Sequence, residues 1–192
     1  MKYEILRLIN CRSKEVKKIK EEGVILVDEN DVVIGEMEKM EAHYKGKLHR
    51  AFSIFIFNSK NELLLQRRAL DKYHSGGLWT NSCCSHPRAN EDLLEAAERR
   101  LVEEIGIKTE LKEVFSFIYC ADLDNNLIEY EYDHVFFGIY DEKPILNYDE
   151  AMDYKWISLE DLVKDIEINS DKYTYWLKYS IEKVISYKNL YN

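Results

Sequence analysis

Several segments of this chain carry side chains suited to chemistry. The segment Leu127-Ile-Glu-Tyr-Glu-Tyr-Asp-His134 alternates acids with aromatic residues. Alternate side chains of a strand share a face, so Glu129, Glu131 and Asp133 point one way and Tyr130, Tyr132 and His134 the other. Two carboxylates side by side repel unless a cation or water neutralises them; the plain alternative is a solvated outer face. In Trp79-Thr-Asn-Ser-Cys-Cys-Ser-His-Pro87, Cys84 and His86 sit at same-face spacing. A Cys near a His can be a nucleophile, an acid/base or half of a metal site. A buried structural thiol is the alternative for Cys84 and the favoured reading for Cys83. The histidines are His43, His49, His74, His86 and His134, with His43 and His49 flanking a turn at Gly46. Three well-placed imidazoles with carboxylates would suit Zn, Mn or Fe, although the spacing is not a zinc-finger pattern. The stretch Arg67-Arg-Ala-Leu-Asp-Lys72 gathers guanidinium forks and an ammonium that fit phosphate oxygens; a solvated strand edge is the alternative.

These residues need elements to position them. Glu91 to Ile107, EDLLEAAERRLVEEIGI, predicts a helix capped by Asn90 and running to about Glu104. Leu94, Ala97 and Leu101 share one face, and Gly106 stops it. Val24 to Asp28 and Val32 to Ile34 predict a hairpin around Glu29-Asn30-Asp31. The apolar run AFSIFIF, Ala51 to Phe57, is followed by a turn cluster and ELLLQRR, a second and largely buried hairpin. Leu111 to Tyr119 and Leu127 to Phe137 predict long strands joined by a turn at Asp122 to Asn126. Ser158 can cap a short helix, LEDLVKDI. A last helix is expected from near Ser170, with Trp176, Ser180, Ile181, Val184 and Ile185 at helical spacing. KEVKKIKEE, Lys14 to Glu22, reads as a charged helical or turn face. The expected class is α+β, mixed sheets flanked by helices, in a single domain over residues 1–192.

Composition bounds the function. The 192 residues hold 27 Lys+Arg against 36 Asp+Glu, a net charge of -9. Such a chain is a poor general binder of nucleic acid, where phosphate contacts dominate affinity. A small anionic substrate would need a local basic cluster or a metal ion to mask the protein's own carboxylates. Cys11, Cys83, Cys84 and Cys120 are too few for a disulfide framework and read as reduced thiols. No apolar run approaches the roughly 20 residues of a membrane-spanning helix, and MKYEILRLINCRSKEVKK does not read as a signal peptide. The expected location is the cytoplasm.

The helix contains E-x7-R-R-L-x-E-E-x-G-I at Glu91, Arg99, Leu101, Glu103, Glu104, Gly106 and Ile107. This resembles the Nudix box, G-x5-E-x7-R-E-U-x-E-E-x-G-U with U aliphatic. Ser85 stands where the box begins with Gly, and Arg100 stands at an acid position. With T-N-S-C-C-S-H-P at Thr80 to Pro87, E-x-E at Glu129 and Glu131, R-R-A-L-x-K at Arg67 to Lys72 and L-H-x-A-F at Leu48 to Phe52, the chain resembles the type I isopentenyl-diphosphate isomerases. This is a Nudix-fold family that does not hydrolyse its substrate. The resemblance runs from about Val24 to Trp176. The segment between His43 and His49 is short and shifted relative to the family.

The resemblance implies a tightly held divalent ion, Mn²⁺ or Zn²⁺, on His43, His49, His86, Glu129 and Glu131. It implies a Mg²⁺ joining Glu104 to the substrate diphosphate. Lys39, Arg68, Lys72 and Arg100 match diphosphate-facing positions, and Tyr119 and Trp176 match the remaining pocket positions. Moving a double bond by one carbon needs one proton added and another removed, with water excluded while positive charge is held. The resemblance assigns Cys84 and Glu131 to these transfers, Tyr119 to assisting Glu131, and the Trp176 π face to the cation. The expected partner is a small diphosphate, with no nucleic acid or membrane. A Nudix hydrolase of a small diphosphate is the second reading, supported by Glu103 and Glu104. A non-catalytic metal-stabilised module is the third.

Overall fold

A computed structural model describes residues 23–190. The charged stretch at Lys14 to Glu22, the leader reading and Cys11 lie outside the described residues. The strands are β1 (Gly23–Val27), β2 (Val33–Glu38), β3 (His49–Phe57), β4 (Glu62–Arg68), β5 (Trp79–Thr80), β6 (Cys83–Ser85), β7 (Leu111–Asp122), β8 (Ile128–Ile139) and β9 (Ala151–Ser158). The helices are α1 (Lys39–Lys45), α2 (Leu93–Ile105), α3 (Leu159–Ile168) and α4 (Tyr175–Leu190). The architecture is α+β, as expected.

β3 is the hub of the sheet. It runs parallel to β8 over its whole length, from His49 opposite Glu131 to Phe57 opposite Ile139. It also pairs antiparallel with β6 and touches β1 and β4. β7 lies on the far side of β8, with Tyr119 opposite Glu131. The predicted β3–β4 hairpin is pinned at Phe57 and Leu63, while β4 pairs mainly with β9.

The run AFSIFIF is apolar on both faces because both faces are covered. Phe55 and Phe57 join Phe115, Phe117, Leu162, Trp176, Leu177 and Val184 beneath α3 and α4. Phe52, Ile54 and Ile56 join Ala96, Ala97, Leu101 and Ile105 of α2 on the opposite side.

Two helix starts differ from the sequence expectation. Asp92, not Asn90, caps α2: its carboxylate accepts from the Leu94 and Glu95 amides, while Asn90 occupies a left-handed turn at φ 59°. Ser170–Lys172 forms only a 3-10 turn, and α4 starts at Tyr175. The chain is extended at Tyr173, so the helix cannot start earlier, and the Thr174 amide bonds the Trp79 carbonyl. Gly106 ends α2 in the left-handed conformation, as predicted. Among the described residues, no helix is long and apolar enough to cross a membrane.

Candidate active site

The site is built on adjacent strands whose register brings distant residues into one row. Tyr119 on β7, Glu131 on β8 and His49 on β3 are lateral neighbours. β6 sets Cys84 opposite Ser53 on the other edge of β3. Glu129 and Glu131 are 4% and 6% exposed, which excludes a solvated face for this pair.

The imidazoles converge with these acids. His43 sits on α1, a seven-residue helix that the sequence reading lacked; Glu38 caps it and Gly46 ends it. His43 Nδ1 lies 2.7 Å from the Lys39 carbonyl, and His49 Nδ1 lies 2.8 Å from the Lys47 carbonyl. Both contacts place the ring proton on Nδ1 and leave Nε2 as a lone-pair donor. His49 Nε2 is 3.2 Å from His86 Nε2, which is 2.9 Å from Glu131 Oε1. The donor atoms of His43, His49, His86 and Glu131 all lie within 4.8 Å of one another, as do those of His43, His74 and Glu129.

The environment suits a cation. His43 Nε2 and Glu129 Oε2 are buried without a hydrogen-bond partner, a costly state unless another group satisfies them. Burial, with the charge of Arg68, pushes His74 down to about 3, and burial pushes His86 down to about 3 despite Glu131. Neutral imidazoles are the form that binds metal. Burial and repulsion from Glu131 hold Glu129 well above the usual carboxylate range. Burial would also raise Glu131, but the approach of the His49 and His86 rings to its carboxylate outweighs it and holds the group low. These residues therefore fit a divalent ion with mixed nitrogen and oxygen ligands.

The remaining predicted residues enclose one pocket. Cys84, Tyr119, Trp176, Lys39, Arg68, Lys72, Arg100 and Glu104 line it together with His86, Glu129 and Glu131. His43 and His49 are fully buried and do not line it. Burial pushes the Cys84 thiol far up, so it carries its proton at neutral pH. Cys83 is fully buried in the core on the α2 side. The Tyr119 phenol donates to Glu131 Oε2 at 2.6 Å. The Trp176 indole donates to Asn81 Oδ1 at 3.1 Å, and the Arg68 guanidinium sits 5.3 Å from its ring centroid.

The basic wall is braced by acids. Glu104 accepts from Arg100 at 2.5 Å and from Gln66 at 2.8 Å. Glu103 accepts from both Arg99 and Arg100. Glu150 pairs with Lys72 and lies 3.2 Å from Arg100. Glu150, Gln66 and His74 are pocket residues that the sequence reading did not assign. His74 stood in the inventory of histidines, two residues beyond the basic stretch; Glu150 lies in no motif.

A NUDIX domain family model matches residues 47–177. "Isopentenyl-diphosphate Delta-isomerase 2" of Aromatoleum aromaticum is 54% identical over 170 residues, covering 88% of this chain and 90% of that protein. A protein of the same name from Photorhabdus laumondii is 56% identical over 170 residues, covering 88% of this chain and 96% of its own. Among solved structures, a Deinococcus radiodurans protein superposes with a TM-score of 0.65 at 22% identity, over 77% of this chain and 90% of its own. A MutT protein from Methanosarcina mazei follows at 0.59 and 22%, over 71% and 91%. These two likenesses speak to the fold alone.

Proposed function

The chain belongs to the isopentenyl-diphosphate Delta-isomerase family and carries a NUDIX domain, and from that premise we propose that its pocket interconverts isopentenyl and dimethylallyl diphosphate by proton addition and removal. The observation that carries this reading is the shared pocket itself. A protonated thiol, Cys84, and a carboxylate hydrogen-bonded by a phenol, Glu131, line the same walls as Lys39, Arg68, Lys72 and Arg100.

The roles divide accordingly. The cations hold the diphosphate through charge-assisted hydrogen bonds, and Glu104 would be the residue to hold a Mg²⁺ that accompanies it, an ion that would neutralise diphosphate charge. A divalent ion, Mn²⁺ or Zn²⁺, bound by the imidazoles and Glu129 would offset the carboxylate charge and fix Glu131. Of Cys84 and Glu131, one delivers a proton to one end of the allyl unit and the other removes a proton from the opposite end. The substrate thus gains and loses one proton, and the two groups exchange protonation states. Tyr119 orients Glu131 by holding Oε2. The Trp176 ring offers its π face to the positive charge that develops on carbon, an interaction worth about 2 kcal/mol when desolvated. Reduced thiols and a cytoplasmic setting accord with this chemistry.

Turnover in D₂O tests the proposal. Isomerisation places deuterium on carbon in both recovered diphosphates. Phosphate release with no carbon-bound deuterium would instead establish hydrolysis. The geometry disfavours that outcome, because Arg100 stands at an acid position of the box and, with Arg99, occupies the Glu103 oxygen that a hydrolase would turn to metal.

A further inference from the structure

We propose that His74 is a fourth imidazole donor to the divalent ion of this site, beside His43, His49 and His86. The inference rests on the reading of the site as a metal centre and extends its ligand set. The resemblance does not assign His74 to that set.

His74 is 4% exposed, and His43 is fully buried. His43 is common to both groups of converging donors, and its partners in the second are His74 and Glu129. The two rings stack with centroids 6.3 Å apart. His43 Nε2 has no hydrogen-bond partner, so it presents a lone pair to the space that both groups border.

The ring contacts of His74 follow the pattern of its neighbours. His43 and His49 each have Nδ1 at a backbone carbonyl, which turns Nε2 inward. His74 has Nδ1 3.2 Å from the Ser75 hydroxyl, and its Nε2 lies 3.8 Å from Glu129 Oε1. Metal-bound histidines characteristically engage the second ring nitrogen in this way. Donors about 2.1 Å from a common ion stand roughly 3 to 4 Å apart, which spans the separation of these two atoms. The other Glu129 oxygen is buried and unpartnered. An ion drawn to Glu129 would therefore find the His74 ring within the same group of converging donors. Trp176 packs edge-on against the His74 ring at 5.7 Å, so the proposed donor also supports the wall that faces the substrate.

Proton NMR of the Co²⁺-loaded full chain in water tests the proposal by counting bound imidazoles. Each coordinated ring gives one strongly shifted N–H resonance that vanishes in D₂O. The expected spectrum has one such resonance for each of His43, His49, His74 and His86, and His74→Gln removes one of them. The Co²⁺ dissociation constant, measured by chelator competition, should rise about 10- to 100-fold in His74→Gln. Resonances from three rings in the wild-type chain would overturn the proposal and leave His74 as a hydrogen-bonding neighbour of Glu129. This count needs no variant, so misfolding of His74→Gln cannot obscure it. His49→Ala serves as the control: if it binds Co²⁺ as tightly as wild type, the metal reading itself fails, and the proposal with it.

Discussion

Tyr119 and Glu131 face each other across the β7–β8 ladder, and the phenol donates to the carboxylate at 2.6 Å. The other oxygen of Glu131 is engaged by His86 at 2.9 Å. Burial, together with the charges of Glu129 and Glu131, holds the phenol well above its ordinary range, so it remains a donor at neutral pH. Tyr119→Phe leaves Oε2 without that donor, a loss of about 1.5–3 kcal/mol for a bond to a charged group. We expect kcat to fall about 10- to 100-fold while KM stays within a few-fold, because the diphosphate contacts lie on other residues. Steady-state kinetics decide it, and an unchanged kcat would remove Tyr119 from the reaction.

The adjacent cysteines should separate cleanly. Cys84 borders the pocket, whereas Cys83 is sealed in the core with Ile54 and Leu101. Cys84→Ser should abolish most turnover, because a hydroxyl is a far weaker acid and its conjugate base is essentially absent. Cys83→Ala should retain turnover and lose only thermal stability, through a small cavity. Equal activity of the two variants would contradict the assignment of Cys84.

Metal removal should be equally diagnostic. Chelation is expected to abolish turnover, with recovery on adding back a divalent ion. Glu129→Gln should lower the metal retained through dialysis at least 10-fold, because it deletes an anionic donor beside His43 and His74. Elemental analysis of the dialysed protein reads this directly. Full activity of metal-free protein in chelator is the contrary result.

Arg100 and Glu150 should shift substrate affinity in opposite directions. Arg100→Gln removes a charge-assisted contact worth about 1.5–3 kcal/mol and should raise KM at least 10-fold. Glu150 pairs with both Lys72 and Arg100 and so competes with the diphosphate for them. Glu150→Gln should lower KM several-fold, and the gain should shrink at high salt. KM values moving in the same direction for both variants would refute this view of Glu150.

Some of this site could be read from residue order because local periodicity decides which side chains share a face. The alternation in β8 put Glu129 and Glu131 together, and the spacing of Cys84 and His86 suggested a common face. The segment around Glu91 to Ile107 showed a helix with its stop at Gly106. The cap was misplaced by two residues: Asn90 and Asp92 are both capping types, and only the backbone turn at Asn90 decides between them. α1 was missed because it is short and weakly patterned; β9 carries a strand signal, the alternation Met152-Asp-Tyr-Lys-Trp156, that the sequence reading did not use.

Composition and local pattern thus determined the α+β class, most of the strands, the box helix and the types of chemistry available. The tertiary structure alone decided the register of β3 against β8, which sets His49 beside Glu131. That pairing joins segments about eighty residues apart in sequence. It is selected by burial of both faces of β3, since a one-residue slip would exchange the α2 side for the α4 side. His74 and Glu150 reach the pocket from loops, where no period announces a facing direction. Their neighbours exist only once β4, β8, β9 and α4 have packed around them.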